Sequence, residues 1–315
     1  MEHTLPTLPR SLFRQPLPVP IKSQKTGTGT VFLLLGITLE AMTLIITALA
    51  DDAVVQLSDR RLTRADGSVS SENAIKSICV DCVDARFSVA YTGLAEIDTK
   101  PTDYWLVDFL TRSRAALKTF PKLVYSVAEF ATDRFRQLLY LGDRRGLTLV
   151  FSGFGPPGAA LALVSNQQDS SGRWLSAVSD RFEAGFWLRN NRVLRKLALM
   201  VNGAEAAVTP DLRAAVRCSR RRFLDRSPEE RVTFLVEVLR RAAKHPLHGR
   251  LIGNDCMGVV VTPDGGFRAT YHTETDTAVS YMPHYVSVGI SARDWWVSTD
   301  ENQRPPWSPR WPVAR

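Results

Sequence analysis

This sequence has little of what metal and redox chemistry need. Its 315 residues include four cysteines and five histidines. Cys79-Val-Asp-Cys82 has the spacing of half a zinc site, but neither a second pair nor a His-x-His partner completes four ligands. Cys79 and Cys82 therefore read as small buried hydrophobes in or beside a hairpin. Cys218 and Cys256 stand alone, and His3, His245, His248, His272 and His284 show no metal spacing. No metal and no cofactor is expected, a histidine-based site is not expected, and nothing demands an oxidising compartment.

A long apolar run is missing too. The stretch from Val31 to Leu39 is too short for a bilayer, which takes about 20 residues. Joined to residues 43–50 it would be long enough, but Glu40 would then sit mid-membrane at a cost of about 3 kcal/mol. No membrane partner is expected, and the cytoplasm is the expected location. The net charge is +8, dispersed over many segments, which serves solubility. The densest basic cluster, Arg217, Arg220, Arg221 and Arg222, reads as one face of a helix. No nucleic-acid recognition motif accompanies it, so no specific nucleic-acid partner is expected.

What is present is ordinary globular composition, 44% hydrophobic and 23% charged, enough for one large domain or two small ones. Residues 1–30 hold Pro6, Pro9, Pro16, Pro18 and Pro20 and have no apolar period, so residues 1–42 read as a disordered leader. Three readings of this segment stay open. A basic leader, an apolar run and Ala48-Leu49-Ala50 imitate a signal peptide cut before Asp51, although Glu40 interrupts the run. Met42 as the true start would expose Thr43 once the methionine is trimmed. A propeptide removed by self-cleavage would expose it as well.

Beyond the leader the sequence predicts a regular order of elements. Residues 43–49 are β-branched and apolar, a buried strand, and after the turn Asp51-Asp52 residues 53–58 complete a hairpin. Residues 64–72 read as a polar loop. Short strands follow at 75–79 and 86–91. Helices over 101–119 and 121–141 each start with proline and carry apolar residues at helical spacing. Strands are predicted at 147–152, 159–164, 173–178, 182–188 and 196–201, then helices at 209–223 and 227–245. The last of these opens Ser227-Pro228-Glu229-Glu230, a capping-box start. Strands at 256–262 and 267–271 flank the tight turn Pro263-Asp264-Gly265-Gly266. Residues 276–315 are a Trp- and Pro-rich extension expected to strap onto the surface or a neighbour. Strands, two helices, strands, two helices, strands fit an α+β four-layer αββα sandwich over residues 43–275.

Thr43 stands at the head of that domain. Asp59 follows in Ser58-Asp59-Arg60-Arg61-Leu62-Thr63, Lys76 in Asn73-Ala74-Ile75-Lys76, and Gly93 in Val89-Ala90-Tyr91-Thr92-Gly93-Leu94-Ala95. A threonine hydroxyl is a poor nucleophile without a base beside it, and a threonine that begins its chain carries that base as its own α-amine. These segments, with Leu251-Ile252-Gly253-Asn254-Asp255-Cys256-Met257-Gly258, resemble the proteasome β-subunit family of N-terminal-nucleophile (Ntn) hydrolases over roughly residues 43–272. The bacterial proteasome-like peptidase that works with an unfoldase ring is the nearest in character.

The resemblance implies a threonine-type hydrolase of peptide or amide substrates, a homo-oligomer and an unfoldase partner. It implies that Thr43 Oγ attacks a carbonyl, that its amine takes the proton, and that Lys76, oriented by Asp59, lowers the amine pKa. Gly93 N–H would serve the oxyanion, and Asn202 and Asp255 would position the amine or the water. The sequence departs from the family in two places. The Thr-to-Lys distance is one residue longer, and Val201-Asn202-Gly203 stands where the family often has a Gly-Ser-Gly turn. A non-catalytic scaffold subunit of the same fold, with Thr43 not exposed, is the alternative expectation.

Overall fold

The run Leu44–Leu49 is a strand because successive side chains enter different apolar layers. This computed structural model describes residues 43–63, 68–97, 100–113, 115, 118–140, 146–156, 158–188, 198–204, 207–212, 220–246, 249–274, 278–280, 284–287 and 290–292. All of them belong to one compact unit, Thr38–Arg315. Strand β1 (Leu44–Leu49) is buried at every position. Leu44, Ile46 and Ala48 join one core cluster, and Ile45 and Leu49 join another. Alternate strand side chains point to opposite faces, so a strand covered on both reads as a continuous apolar run.

β2 (Val54–Asp59) returns antiparallel to β1, with Ile45 opposite Ser58 and Leu49 opposite Val54. The expected hairpin is borne out. The loop expected over 64–72 is in part a strand: β4 (Val69–Ser71) pairs with β3 (Leu62–Thr63) as a small two-stranded sheet, and residues 64–67 lie outside the described residues. The polar residues there satisfy their backbone by pairing at the surface.

Next come β5 (Ser77–Asp81), β6 (Arg86–Gly93), β7 (Glu96–Ile97) and β8 (Lys100–Pro101). Helix α1 (Thr102–Arg112) ends at Ser113, short of the expected residue 119, and α2 (Phe120–Tyr140) follows. β9 (Leu147–Gly155), β10 (Gly158–Ser165), β11 (Glu183–Leu188) and β12 (Ala198–Gly203) continue the chain. The strand expected over 173–178 is absent; only a Gln168–Trp174 bridge remains. The Asp169 carboxylate gathers the Ser171 and Arg173 N–H groups, which bends the backbone there into a turn.

Of the helix expected over 209–223, residues 210–212 and α3 (Arg220–Leu224) are helical, and residues 213–219, with Arg217 and Cys218, lie outside the described residues. α4 (Pro228–Ala243) starts from a full capping box, with Glu230 N–H donating to Ser227 Oγ and Ser227 N–H to the Glu230 carboxylate. β13 (Cys256–Val261) and β14 (Phe267–His272) form the expected hairpin.

The chain is thus a mixed α+β fold built mainly from antiparallel sheets. One large sheet has the order β12-β1-β2-β13-β14-β15 and the other β11-β10-β9-β6-β5-β16-β17. The last three strands are β15 (Ala278–Ser280), β16 (Tyr285–Ser287) and β17 (Ile290–Ala292), so strands past residue 275 enter both sheets. β16 runs parallel to β5. The leader 1–42 and the tryptophan-rich residues beyond 292 lie outside the described residues.

Four apolar clusters organise the interior among the described residues, and three of them relate sheets and helices. Ile45, Leu49 and Val54 of the first sheet share one with Ala90, Val150, Leu161 and Leu163 of the second. Val55 and Leu57 pack with Val232, Leu235 and Leu239 of α4. Phe87, Val89, Leu149 and Ala162 pack with Leu106 and Leu110 of α1 and Val124 and Val127 of α2. Gln56 bridges the two sheets by donating to Val150 O and accepting from Ser88 Oγ. Among the described residues, no helix is long and apolar enough to cross a membrane.

Candidate active site

Thr43, Asp59 and Lys76 are brought together from three strand ends. Thr43 immediately precedes β1, Asp59 closes β2, and Lys76 immediately precedes β5. Asp59 and Lys76 are fully buried, and Thr43 is 4% exposed. Lys76 Nζ donates to Thr43 Oγ1 at 2.6 Å, to both Asp59 carboxylate oxygens at 3.4 Å, and to Arg61 O. An ammonium has three hydrogens, and Thr43, Asp59 and Arg61 supply three acceptors. Asp59 is held in turn by three backbone donors: Leu44 N–H on one oxygen at 2.9 Å, and Arg61 and Gly253 N–H on the other at 3.1 and 3.0 Å.

Burial drives the electrostatics of this pair. It pushes the Asp59 carboxyl above the usual carboxylate range, against the Lys76 charge and the three N–H donors. It pulls the Lys76 ammonium below the ordinary lysine range, against the Asp59 carboxylate. Whether ionised or with the proton passed from lysine to aspartate, the pair has no net charge. Placing a neutral lysine amine beside a hydroxyl therefore releases no proton to solvent, because Asp59 takes it.

The strand ladder supports Thr43 from the other side. Thr43 O accepts Ala204 N–H at 2.9 Å, and Leu44 lies opposite Gly203 of β12. Gly203 has φ +82°, and a Cβ there would lie 1.8 Å from Thr43 O. Gly203→Ala is therefore expected to cost at least about 1–3 kcal/mol, read as a lowered denaturant midpoint, with Thr43 displaced from Lys76. An unchanged midpoint would show that this junction relaxes freely.

The chain matches no family model and no curated protein.

The geometry alone then sorts the remaining candidates. Asn202 is 3% exposed on β12, opposite Ile45, and its Oδ1 has no partner among the described residues. Gly93 follows Thr92 at the end of β6 with φ +100°. A Cβ there would lie 2.1 Å from Gly146 O, so close packing by itself explains the glycine. Asp255 is not brought to Thr43. Its carboxylate accepts Glu274 N–H at 2.7 Å, and its carbonyl accepts Arg60 N–H. The carboxylate is used to hold the chain beyond β14 rather than an amine. Among the described residues no group of three or more His, Cys, Asp or Glu side chains is placed to hold a metal ion. His284 instead meets Asp103, at 3.1 Å.

Sequence reasoning missed Thr92, whose hydroxyl touches Thr43 N and O, and Gly253 and Arg61, which hold Asp59 and Lys76. Thr92 and Gly253 lie inside segments already singled out, but nothing in their spacing marks a contact to residue 43 or 59.

Proposed function

We propose that this chain is a threonine-type amide hydrolase of the N-terminal-nucleophile kind, on a four-layer αββα sandwich, with Thr43 as the nucleophile. The observation that carries the reading is the 2.6 Å contact between Lys76 Nζ and Thr43 Oγ1, buried and backed by Asp59. A hydroxyl held by a fully buried lysine on a three-point mount costs the fold polar burial, and catalysis is a use for it. The layer order is supported by the three clusters: α1 and α2 against one sheet, α4 against the other, and apolar residues of both sheets in one layer between them.

In this reading Thr43 Oγ attacks the substrate carbonyl as the Thr43 α-amine takes its proton, forming an acyl-enzyme ester and releasing the amine product. Water then hydrolyses the ester and regenerates the hydroxyl. An unperturbed α-amine has a pKa of about 7.7–8.0, and a charged Lys76 beside Thr43 disfavours a second positive charge. Gly93 N–H serves as an oxyanion donor. The amine becomes free either by a start at Met42 with loss of the methionine, or by attack of Thr43 Oγ on the Met42 carbonyl. In the second route the acyl group moves from nitrogen to oxygen and water cleaves the ester.

Intact mass spectrometry of the chain expressed from Met1, and separately from Met42, tests this. Thr43 is the expected N-terminal residue from Met42, and from Met1 as well if the chain cleaves itself. A small β-lactone, whose strained ring ester acylates hydroxyls, is expected to add to the Thr43-initiated chain. Failure of both chains to expose Thr43 and take the probe would sink the proposal. It would favour a scaffold subunit, a reading that draws on the 4% exposure of Thr43.

A further inference from the structure

The chain past residue 275 clasps both large sheets, with β15 pairing with β14 in one and β16 with β5 in the other. β16 runs beside β5 with Tyr285 opposite Cys79, Val286 opposite Val80 and Ser287 opposite Asp81. Val286 is buried with Ile78, Val80 and Leu106 of α1, whereas Tyr285 packs with Cys79 and Met257. The Tyr285 and Ser287 hydroxyls both donate to Asp81 Oδ2, at 3.4 and 3.3 Å.

His284 is the joint of this clasp. Its carbonyl accepts Cys79 N–H of β5 at 2.9 Å. Its ring reaches the other way: Nε2 lies 3.1 Å from Asp103 Oδ2 in the first turn of α1, and the ring packs T-shaped on Tyr104. His284 and Asp103 are both buried. Apolar side chains of the same volume seal an edge at no greater cost, and the best-attested use of a buried polar pair is to fix a register. The register fixed here is that of β16 against β5 and α1.

Both arms of His284 lead to the candidate site. β5 begins at Ser77, directly after Lys76, and Tyr91 N–H donates to Lys76 O at 3.2 Å. α1 begins at Thr102, beside Asp103. Thr102 N–H donates to Ala95 O at 2.9 Å and its hydroxyl to Leu94 O at 2.7 Å, and Leu94 follows Gly93. One residue thus touches both the strand that continues from the cation and the helix start that holds the Gly93 turn.

We propose that His284 is a positioning residue. Through Cys79 and Asp103 it sets the spacing between Lys76 and the Gly93 turn, and so the placement of the cation and the oxyanion donor around Thr43. It acts through β5 and α1, not on substrate. This places a determinant of the site beyond residues 43–272, and it rests on the reading of Thr43 as an N-terminal nucleophile.

The test uses the chain expressed from Met1 and from Met42. It reads β-lactone acylation per Thr43-initiated chain as a function of probe concentration, and amide hydrogen exchange over residues 75–81 and 93–103. His284→Leu keeps an apolar side chain and removes the donor to Asp103. It is expected to speed exchange in both segments. It is also expected to slow acylation at saturating probe by about 10²-fold, the loss that a displacement of about 1 Å causes. The half-saturating probe concentration is expected to hold, because the groups displaced act in the chemical step. His284→Gln, whose amide also donates an N–H, is expected to restore most of the rate.

A wild-type rate in folded His284→Leu overturns the proposal and leaves the nucleophile reading in place, since the clasp would then only stabilise the fold. A slowed rate with unchanged exchange in both segments overturns it as well, and so does a glutamine chain as slow as the leucine chain. A wild-type chain that never exposes Thr43, or exposes it and takes no probe, overturns both. If His284→Leu does not accumulate folded, Asp103→Asn, of the same size and uncharged, decides by the same two readouts.

Discussion

Thr43→Ala is expected to abolish acylation by the β-lactone, a loss on the order of 10⁶-fold if the hydroxyl is the nucleophile. The same variant is expected to stay folded. The lost hydroxyl is one of three acceptors around Lys76 Nζ, and Asp59 and Arg61 O remain. The cost to stability is then that of one buried hydrogen bond to a charged group, about 1.5–3 kcal/mol. Thr43→Ser keeps the hydroxyl and separates chemistry from packing, because it retains the nucleophile and loses only a buried methyl. If exposure of Thr43 comes from self-cleavage, the alanine chain also keeps residues 1–42. An adduct on the alanine variant, at any residue and at the wild-type rate, would show that the probe reacts elsewhere and that Thr43 was wrongly chosen.

The second large effect lies in the Asp59–Lys76 pair. Lys76→Met leaves Asp59 fully buried without its cation, and breaking such a pair from one side costs about 3–5 kcal/mol. Asp59→Asn costs stability for a different reason. The Asp59 carboxylate accepts three backbone N–H groups on its two oxygens, and an amide turns one of those oxygens into a donor. The double variant removes both buried charges at once. Its loss is expected to be smaller than the sum of the single losses by about 1–3 kcal/mol, the range of coupling in a contact pair. Denaturant unfolding of the four proteins measures this directly, and additive losses would show that the two groups do not act as a unit. None of the three variants is expected to react with the probe at the wild-type rate, because the cation beside Thr43 is missing or misaligned in each.

Local physics was readable where a segment answers to its own periodicity. The apolar runs at β1 and β10 and the spacing along α1 and α2 each reflect a surface that must be covered. The capping box at Ser227 was legible to the residue, since it is made within one helical turn. The failures have a common cause. The 173–178 segment has strand-like residues, but the Asp169 carboxylate turns the chain at its start and Leu175 N–H goes to Gln167 O. Residues 69–71 are polar enough for a loop yet pair with Leu62 and Thr63. In both places a hydrogen bond that composition does not disclose overrode local preference.

For the candidate site, linear neighbours were enough to nominate Thr43, Asp59 and Lys76 by resemblance, but not to place them. Asp255 illustrates the limit. It lies beside Cys256, which pairs with Asp59 across β13 and β2, yet its carboxylate turns to Glu274. One residue along a strand decides which side of the sheet a group serves.

By itself the sequence determined most of the main strands and helices in their order, and the residue types available for a nucleophile, a cation and a carboxylate. These follow from side-chain period and chemical identity, which are local. Only the tertiary structure decided that Lys76 Nζ reaches Thr43 across 33 positions, that Gly253 caps Asp59 across 194, and that Thr92 grips Thr43 across 49. Those contacts depend on how the ends of different strands converge, and a hydrogen bond reads the distance between atoms rather than the distance along a chain.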